Sequence, residues 1–69
     1  MTAEFLQYQR LEQIHKAAAK QLRYCGFQAK ARSDWKSGNF RIEVKCSADE
    51  VEELRRVGRF SNEIKIVAN

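Results

Sequence analysis

Residues 40–50 read FRIEVKCSADE, and within this stretch a strand pattern is followed by a helix start. The first seven residues alternate between apolar and polar side chains, which is typical of a strand with one buried and one exposed face. Ser47 and Glu50 have the spacing of a capping box, in which a hydroxyl and a carboxylate satisfy backbone donors at the start of a helix. The stretch therefore predicts a strand up to Cys46 and a helix that begins at Ala48.

A hairpin is predicted before this stretch. Residues 27–32 alternate between apolar and polar side chains in the same way as residues 40–46. The run from Asp34 to Asn39 between them is rich in turn-forming residues. The two alternating segments are therefore expected to pair as antiparallel strands with one face open to water.

A second helix and a third strand are predicted after the hairpin. Val51, Leu54 and Val57 recur at helical spacing and are expected to face the core. Gly58 follows them as a natural helix end. Residues 63–67 alternate again and predict a strand near the C-terminal end of the sequence.

The N-terminal segment predicts a long first helix. From Thr2 to Cys25 there is neither Pro nor Gly and good helix formers dominate, so a helix is expected from residue 3 to about residue 24. At 100° per residue, one apolar stripe is predicted to face the core, formed by Leu11, Ile14, Ala18, Leu22 and Cys25. Phe5 and Leu6 fall outside this stripe, so they belong either to an irregular first turn or to a contact with a partner.

These elements predict an α+β fold in the order α-β-β-α-β, with two helices packed on one face of a three-stranded sheet. Residues 1–69 are expected to form a single small domain. The element order is similar to that of KH-like domains and of ferredoxin-like folds that lack the first strand. Residues 55–60 contain a single Gly where a KH domain carries a GxxG loop, and the open sheet face lacks the aromatic residues of RRM-like domains. No family is therefore predicted.

Composition limits the classes of function. The chain is 43% hydrophobic and 32% charged, which is typical of a folded domain. With 69 residues it is too short to form two cores or a multi-part enzyme. No apolar run approaches the roughly 20 residues of a membrane span, and the first residues lack a secretory signal pattern. Cys25 and Cys46 lie far apart without a CxxC motif, which favours a reducing, cytoplasmic location.

Catalytic and metal-binding patterns are weak. His15 is the only histidine and is predicted at the border of the apolar stripe, with one ring nitrogen in water. A zinc site formed by His15, Cys25 and Cys46 would lack the usual ligand spacing and a fourth protein ligand. No phosphate-binding loop or catalytic motif occurs in the sequence. We therefore expect a protein that is not an enzyme, with no cofactor and no metal.

The distribution of charge is more informative than the net charge of +4. Residues 13–42 contain seven basic residues and one acidic residue, a local balance of +6. Such a surface predicts phosphate contacts with DNA or RNA. Trp35, at the hairpin turn, is expected either to stack on a base or to fold back over the core. The candidate nucleic-acid-binding residues are Lys16, Lys20, Arg23, Lys30, Arg32, Trp35, Lys36, Arg41 and Lys45.

A protein-interaction module is the alternative hypothesis. The chain would then be an adaptor or a small inhibitor of the kind that phages and other mobile elements encode. Phe5, Leu6 and Trp35 are its candidate partner-binding residues, together with an exposed strand edge. A homodimer is compatible with both hypotheses, because pairing would extend the basic surface and enlarge a small core.

Overall fold

The computed structural model describes residues 2–69 and contains two helices and a three-stranded mixed sheet. The elements are α1 (Ala3–Tyr24), β1 (Ala29–Asp34), β2 (Asn39–Val44), α2 (Ala48–Gly58) and β3 (Ile66–Ala68). The predicted order α-β-β-α-β and the α+β class are confirmed. In this part of the chain, neither helix combines the length and the apolarity that crossing a bilayer would require.

β2 is the central strand of the sheet. It pairs with β1 as an antiparallel hairpin in which Arg32 lies opposite Arg41, and with β3 in parallel with Ile42 opposite Ile66. The strand order β1-β2-β3 leaves β1 and β3 as the two edges. Parallel neighbours require a crossover connection, and α2 lies in the connection between β2 and β3.

Both helices cover the same face of the sheet. Phe40, Ile42 and Val44, alternate residues of β2, are buried on this face. Leu22 of α1 and Val51 of α2 join Ile42 and Val44 in one apolar cluster. The whole buried cluster consists of Ala18, Ala19, Leu22, Ala29, Ile42, Val44, Val51, Ile64 and Ile66. Because α1 contacts β1 and β2 while α2 contacts mainly β3, the helices lie toward opposite edges of the sheet.

Each helix starts at a hydroxyl cap. The backbone N–H of Phe5 donates to Thr2 Oγ1 at 3.2 Å, and that of Glu50 donates to Ser47 Oγ at 3.2 Å. The Glu50 carboxylate accepts from the Ser47 hydroxyl at 3.3 Å rather than from the backbone of Ser47. The predicted start of α2 at Ala48 is confirmed, with half of the capping box formed.

α1 ends in a Schellman motif. The N–H of Gly26 donates to the carbonyl of Arg23 at 3.1 Å, and the N–H of Phe27 donates to that of Leu22 at 3.1 Å. Gly26 has a φ of +96°, which residues with a side chain rarely adopt. The motif ends α1 at Tyr24, as the sequence predicts.

α2 ends at Gly58, as the sequence predicts. Gly58 is its last residue, and Arg59 rather than the glycine takes the left-handed conformation, with a φ of 51°. A side chain at Gly58 would come within 2.5 Å of the Phe60 ring. Gly58 is therefore needed for the close approach of Phe60.

Two residues that were predicted to face the core do not. Cys25 is exposed, because α1 ends at Tyr24 and the apolar stripe ends with it. Val57 is 69% exposed. At 100° per residue it lies about 120° around α2 from Val51, outside the narrow face that contacts the sheet.

The strands are shifted from their predicted positions: β1 spans residues 29–34 instead of 27–32, and β2 spans residues 39–44 instead of 40–46. Ile64 is buried, but its N–H donates to the carbonyl of Ser61 at 3.0 Å in a turn, so β3 begins only at Ile66. β1 begins two residues later than expected, and β2 ends at Val44. The N–H of Cys46 donates to the Val44 carbonyl at 2.9 Å, and this tight turn directs the chain into α2.

His15 is buried rather than half in water, which corrects the prediction for this residue. It is 1% exposed, and the backbone N–H of Lys65 donates to its Nε2 at 3.1 Å. Its Nδ1 then carries the proton and donates to the Leu11 carbonyl at 2.7 Å. The neutral ring therefore links α1 to the segment that leads into β3.

Candidate functional site

A groove runs between α1 and the outer edge of β1. It is lined by Lys16, Ala19, Lys20, Arg23, Lys30 and Ala31. The three α1 cations are spaced by four and then three residues, so they share one side of the helix. Lys30 contributes a cation from β1, while the two alanines add little bulk between them. The groove therefore combines small side chains with cations from both elements.

A second depression extends this positive surface onto the open side of the sheet. It shares Arg23 and Lys30 with the groove and adds Arg32 and Lys45. Arg41 lies opposite Arg32 in the strand register. We define the basic surface as Lys16, Lys20, Arg23, Lys30, Arg32, Arg41 and Lys45. The structure thus brings together all the predicted phosphate-binding cations except Lys36.

Glu43 partly neutralises the two arginines of the basic surface. Its carboxylate pairs with Arg32 Nε at 3.0 Å and with Arg41 Nη2 at 3.2 Å. The Arg32 hydrogen bond, followed by that of Arg41, holds the pKa of Glu43 below its ordinary value. In the described part of the chain, Glu43 is the one carboxylate side chain that lines these two depressions. The Arg32 and Arg41 side chains are 47% and 42% exposed, so both remain open to solvent beside Glu43.

Glu12 connects the groove to the hairpin turn. Its carboxylate pairs with Lys16 Nζ at 2.8 Å and accepts the Trp35 Nε1–H at 2.6 Å. The hydrogen bonds from Lys16 and from Trp35 lower the pKa of Glu12. Trp35 is thereby fastened to α1, and its indole donor is already used.

An aromatic cluster surrounds Trp35. Its ring centroid lies 5.3 Å from that of Phe5, 5.8 Å from that of Tyr8 and 6.2 Å from that of Phe40. Of the two predicted outcomes, Trp35 therefore adopts the one in which it folds back over the core. It stays 36% exposed, beside Phe5 at 42%. Leu6, at 53%, is also open to solvent and adds to the exposed apolar area of the N-terminal half of α1.

Lys36 lines neither of the two depressions. It occupies the turn between β1 and β2, where Asp34 Oδ1 accepts its backbone N–H at 3.1 Å. Lys30, near the other end of β1, is more than about 13 Å away at the rise of a strand. Within the hairpin, this cation therefore lies away from Lys30.

The outer edge of β1 is open for backbone pairing. Lys45 N–H donates to the Gln28 carbonyl, so the strand register directs the backbone groups of Ala31 and Ser33 away from β2. Arg23 Nη1 donates to the carbonyl of Ala29 at 3.0 Å on this same edge. The groove thus borders an unpaired strand edge.

The acidic side chains of α2 lie elsewhere. Asp49, Glu52 and Glu53 line a separate depression with Arg56. α2 packs mainly on β3, whereas the groove borders β1 at the opposite edge of the sheet. The fold therefore separates the α2 carboxylates from the cations of the groove.

Tyr24 is a feature that the sequence interpretation missed. It is the last residue of α1 and is 82% exposed, and it lines a shallow depression with Lys20 and Arg23. Its signal in the sequence is an aromatic residue outside the apolar stripe, four residues after a lysine and next to an arginine. Helical spacing alone would place it beside Lys20.

No metal centre can be assigned on this surface. Across residues 2–69, no group of three or more His, Cys, Asp or Glu side chains is placed to hold a metal ion. Comparison with known proteins adds no further guide: no protein-family model, no curated protein and no solved structure matches the chain.

Proposed function

We propose that this protein is a non-enzymatic nucleic-acid-binding module whose basic surface contacts phosphates. The observation that carries the proposal is the convergence of cations from α1, from β1 and from Lys45, which follows β2, on one side of the fold, while the α2 carboxylates lie toward the other. Phosphate groups are the commonest partners of a surface with such an excess of positive charge.

The pairing of the cations supports a phosphate ligand. Within the described chain, Lys20, Lys30 and Lys45 form no ion pair, and Arg32 and Arg41 share a single carboxylate. Each phosphate that these residues neutralise would release condensed counterions from the nucleic acid. Binding should therefore weaken steeply with salt and depend little on base sequence.

The test is a set of anisotropy titrations with labelled DNA and RNA oligonucleotides over a range of salt concentrations. The variant Lys20→Gln with Lys30→Gln removes two groove cations. We expect about tenfold weaker binding. The slope of log affinity against log salt concentration should become less steep by about two. The control Arg56→Gln with Arg59→Gln removes the same charge from the α2 edge and should bind like the native chain. Absence of binding to both nucleic acids at low salt, or equal losses in the two variants, would overturn the proposal.

The proposal also includes a cytoplasmic location. Cys25 and Cys46 are free thiols, as expected in a reducing compartment. Burial, followed by the charge of Glu50, raises the pKa of the Cys46 thiol, which favours its protonated form.

Binding to a protein is a second candidate function, supported by exposed apolar groups at the start of α1. Phe5, Leu6 and Trp35 remain partly exposed, and the β1 edge offers unpaired backbone groups. An adaptor or a phage-type inhibitor would use these features, and a homodimer could form through the same edge. A solution mass that stays monomeric, together with no protein retained from host lysate, would count against this candidate.

A further inference from the structure

Tyr24 contributes little to the core and nothing to the aromatic cluster. It is 82% exposed, whereas Phe5, Tyr8, Trp35 and Phe40 contact one another. In the part of the chain that the structure describes, its ring packs against no other aromatic ring. The ring is therefore largely open to a ligand.

The backbone beneath Tyr24 is firmly held. Cys25, Gly26 and Phe27 donate backbone hydrogen bonds of 3.1 to 3.2 Å into the last turn of α1. The tyrosine ring therefore has only its own two side-chain torsions to restrict when a ligand binds. A ring presented in this way loses little conformational entropy when another flat group stacks on it.

Cations flank the ring. Lys20 lies one helical turn before Tyr24, and both line the same depression as Arg23, which also borders the groove. A base stacked on Tyr24 would therefore have neighbouring phosphates within reach of these cations. Trp35, the aromatic residue that the sequence suggests for stacking, is held by Glu12 through its indole N–H.

We infer that the ligand of the basic surface is single-stranded nucleic acid, and that Tyr24 stacks on one of its bases. The inference rests on the proposed function, because it needs the surrounding cations to bind phosphates. Single strands present the flat faces of their bases, whereas a duplex buries them in its own stack. A positive groove with an aromatic side chain at its end is the usual arrangement for binding single strands with little sequence preference.

The experiment compares single-stranded and duplex oligonucleotides of the same sequence, as DNA and as RNA, by anisotropy at fixed low salt. We expect the native chain to bind the single strands more tightly. Tyr24→Ala should weaken single-strand binding by roughly 5- to 150-fold, which corresponds to the loss of stacking on one base. Duplex binding should change less than twofold, since it depends on phosphate contacts alone.

Two further variants separate stacking from other effects. Tyr24→Phe keeps the ring and should retain single-strand affinity, so a loss as large as that of Tyr24→Ala would overturn stacking. Val57→Ala removes an exposed apolar side chain from α2 and serves as the matched control, with native affinity expected. Thermal unfolding should show that all three variants keep the native fold, because both residues are exposed.

The outcomes distinguish this inference from the proposed function. If Lys20→Gln with Lys30→Gln weakens binding while Tyr24→Ala does not, phosphate binding stands and the inference falls. The inference also falls if duplex binds as tightly as single strands, or if Tyr24→Ala weakens both equally. If neither nucleic acid binds, both fall. The DNA and RNA probes show which kind of single strand is preferred.

Discussion

The charged residues on α2 and those at the β1 edge differ in how far the fold itself accounts for them. α2 carries Asp49 and Glu50 in its first turn and Arg55 and Arg56 in its last, so each charge complements the helix dipole. Its arginines also have local partners: Arg55 Nη1 donates to the Ile64 carbonyl at 2.7 Å, and Arg56 Nη2 pairs with a Glu53 oxygen at 2.6 Å. The charges at this edge are explained by the folding of the helix.

At the β1 edge, folding explains much less of the charge. Arg23 of α1 lies in the last turn, where the dipole favours a cation, and Lys16 pairs with Glu12 one helical turn before it. In the described part of the chain, Lys20 has neither kind of local support. Lys30 has no carboxylate partner in the described residues, and Glu43 serves two arginines at once. Cations that local structure does not require are better candidates for contacts with a ligand.

The largest effect should come from reversing charge at the two edges in turn. Lys20→Glu with Lys30→Glu should weaken oligonucleotide binding on the order of 100-fold, because it replaces attraction to phosphate with repulsion. Arg56→Glu with Arg59→Glu should change binding less than threefold. Anisotropy titrations at one salt concentration measure both. A comparable loss in the two variants would show that net charge, rather than the β1 edge, determines binding.

Next in size is the loss of the buried link between α1 and the β3 side of the fold. His15→Leu leaves the Lys65 N–H without its acceptor and should lower the free energy of unfolding by about 1–3 kcal/mol. Urea unfolding followed by circular dichroism measures the change. Unaltered stability would mean that the hydrogen bond between His15 and the Lys65 backbone does not stabilise the fold. Glu4→Gln, on the exposed first turn, is the control and should change stability by less than about 0.5 kcal/mol.

Removing the cap of α2 should have a smaller effect, confined to stability. Ser47→Ala removes the acceptor of the Glu50 N–H and should cost about 1 kcal/mol. Oligonucleotide affinity at a temperature where the variant is folded should remain native. A parallel loss of affinity would link the α2 edge to binding and remove the contrast between the edges.

Removing the carboxylate within the basic surface should strengthen oligonucleotide binding. Glu43→Gln frees Arg32 and Arg41 from their shared partner and should tighten oligonucleotide binding by about two- to fivefold, with a steeper salt dependence. The control Glu53→Gln frees Arg56 on the α2 edge in the same way and should not change the affinity. Equal tightening in both variants would contradict a localised site.

The smallest predicted effect is the pH dependence of stability. Arg10 holds the pKa of Glu63 below its ordinary value of 4.5, mainly by a hydrogen bond between the side chains. A carboxylate with a lowered pKa stabilises the fold at pH values above its unfolded pKa, and this contribution disappears as the pH falls through the folded value. Melting temperatures between neutral pH and about pH 3 should therefore fall slightly less in Glu63→Gln than in the native chain. A steeper fall in the variant would contradict this sign.

Most of the fold could be predicted, because its signals are local. Capping by Ser47, the break at Gly26 and the alternation of Phe40, Ile42 and Val44 each depend on residues a few positions apart. The predicted bounds of α1 and the start of α2 follow from such signals. Val57 was assigned wrongly because helical spacing does not reveal how wide a face the sheet covers.

The candidate site was predictable only in part. The sequence shows the concentration of cations in residues 13–42, but not the continuity of the surface that they form in the folded chain. It depends on β1 lying at the edge beside α1, which places Lys30 next to Arg23. Lys36 lies in the hairpin turn and does not line the groove, and Tyr24 is exposed at the end of α1.

The amino-acid sequence alone therefore specified the two helices, the hairpin and the block of positive charge. Capping, turn formation and side-chain periodicity act between residues that are near neighbours in the chain. Packing decided the state of Trp35 and His15, whose partners are 23 and 50 residues away in sequence. Contacts at such distances depend on which faces of the elements meet. Only the folded chain brings the cations into one surface and keeps the α2 carboxylates away from it.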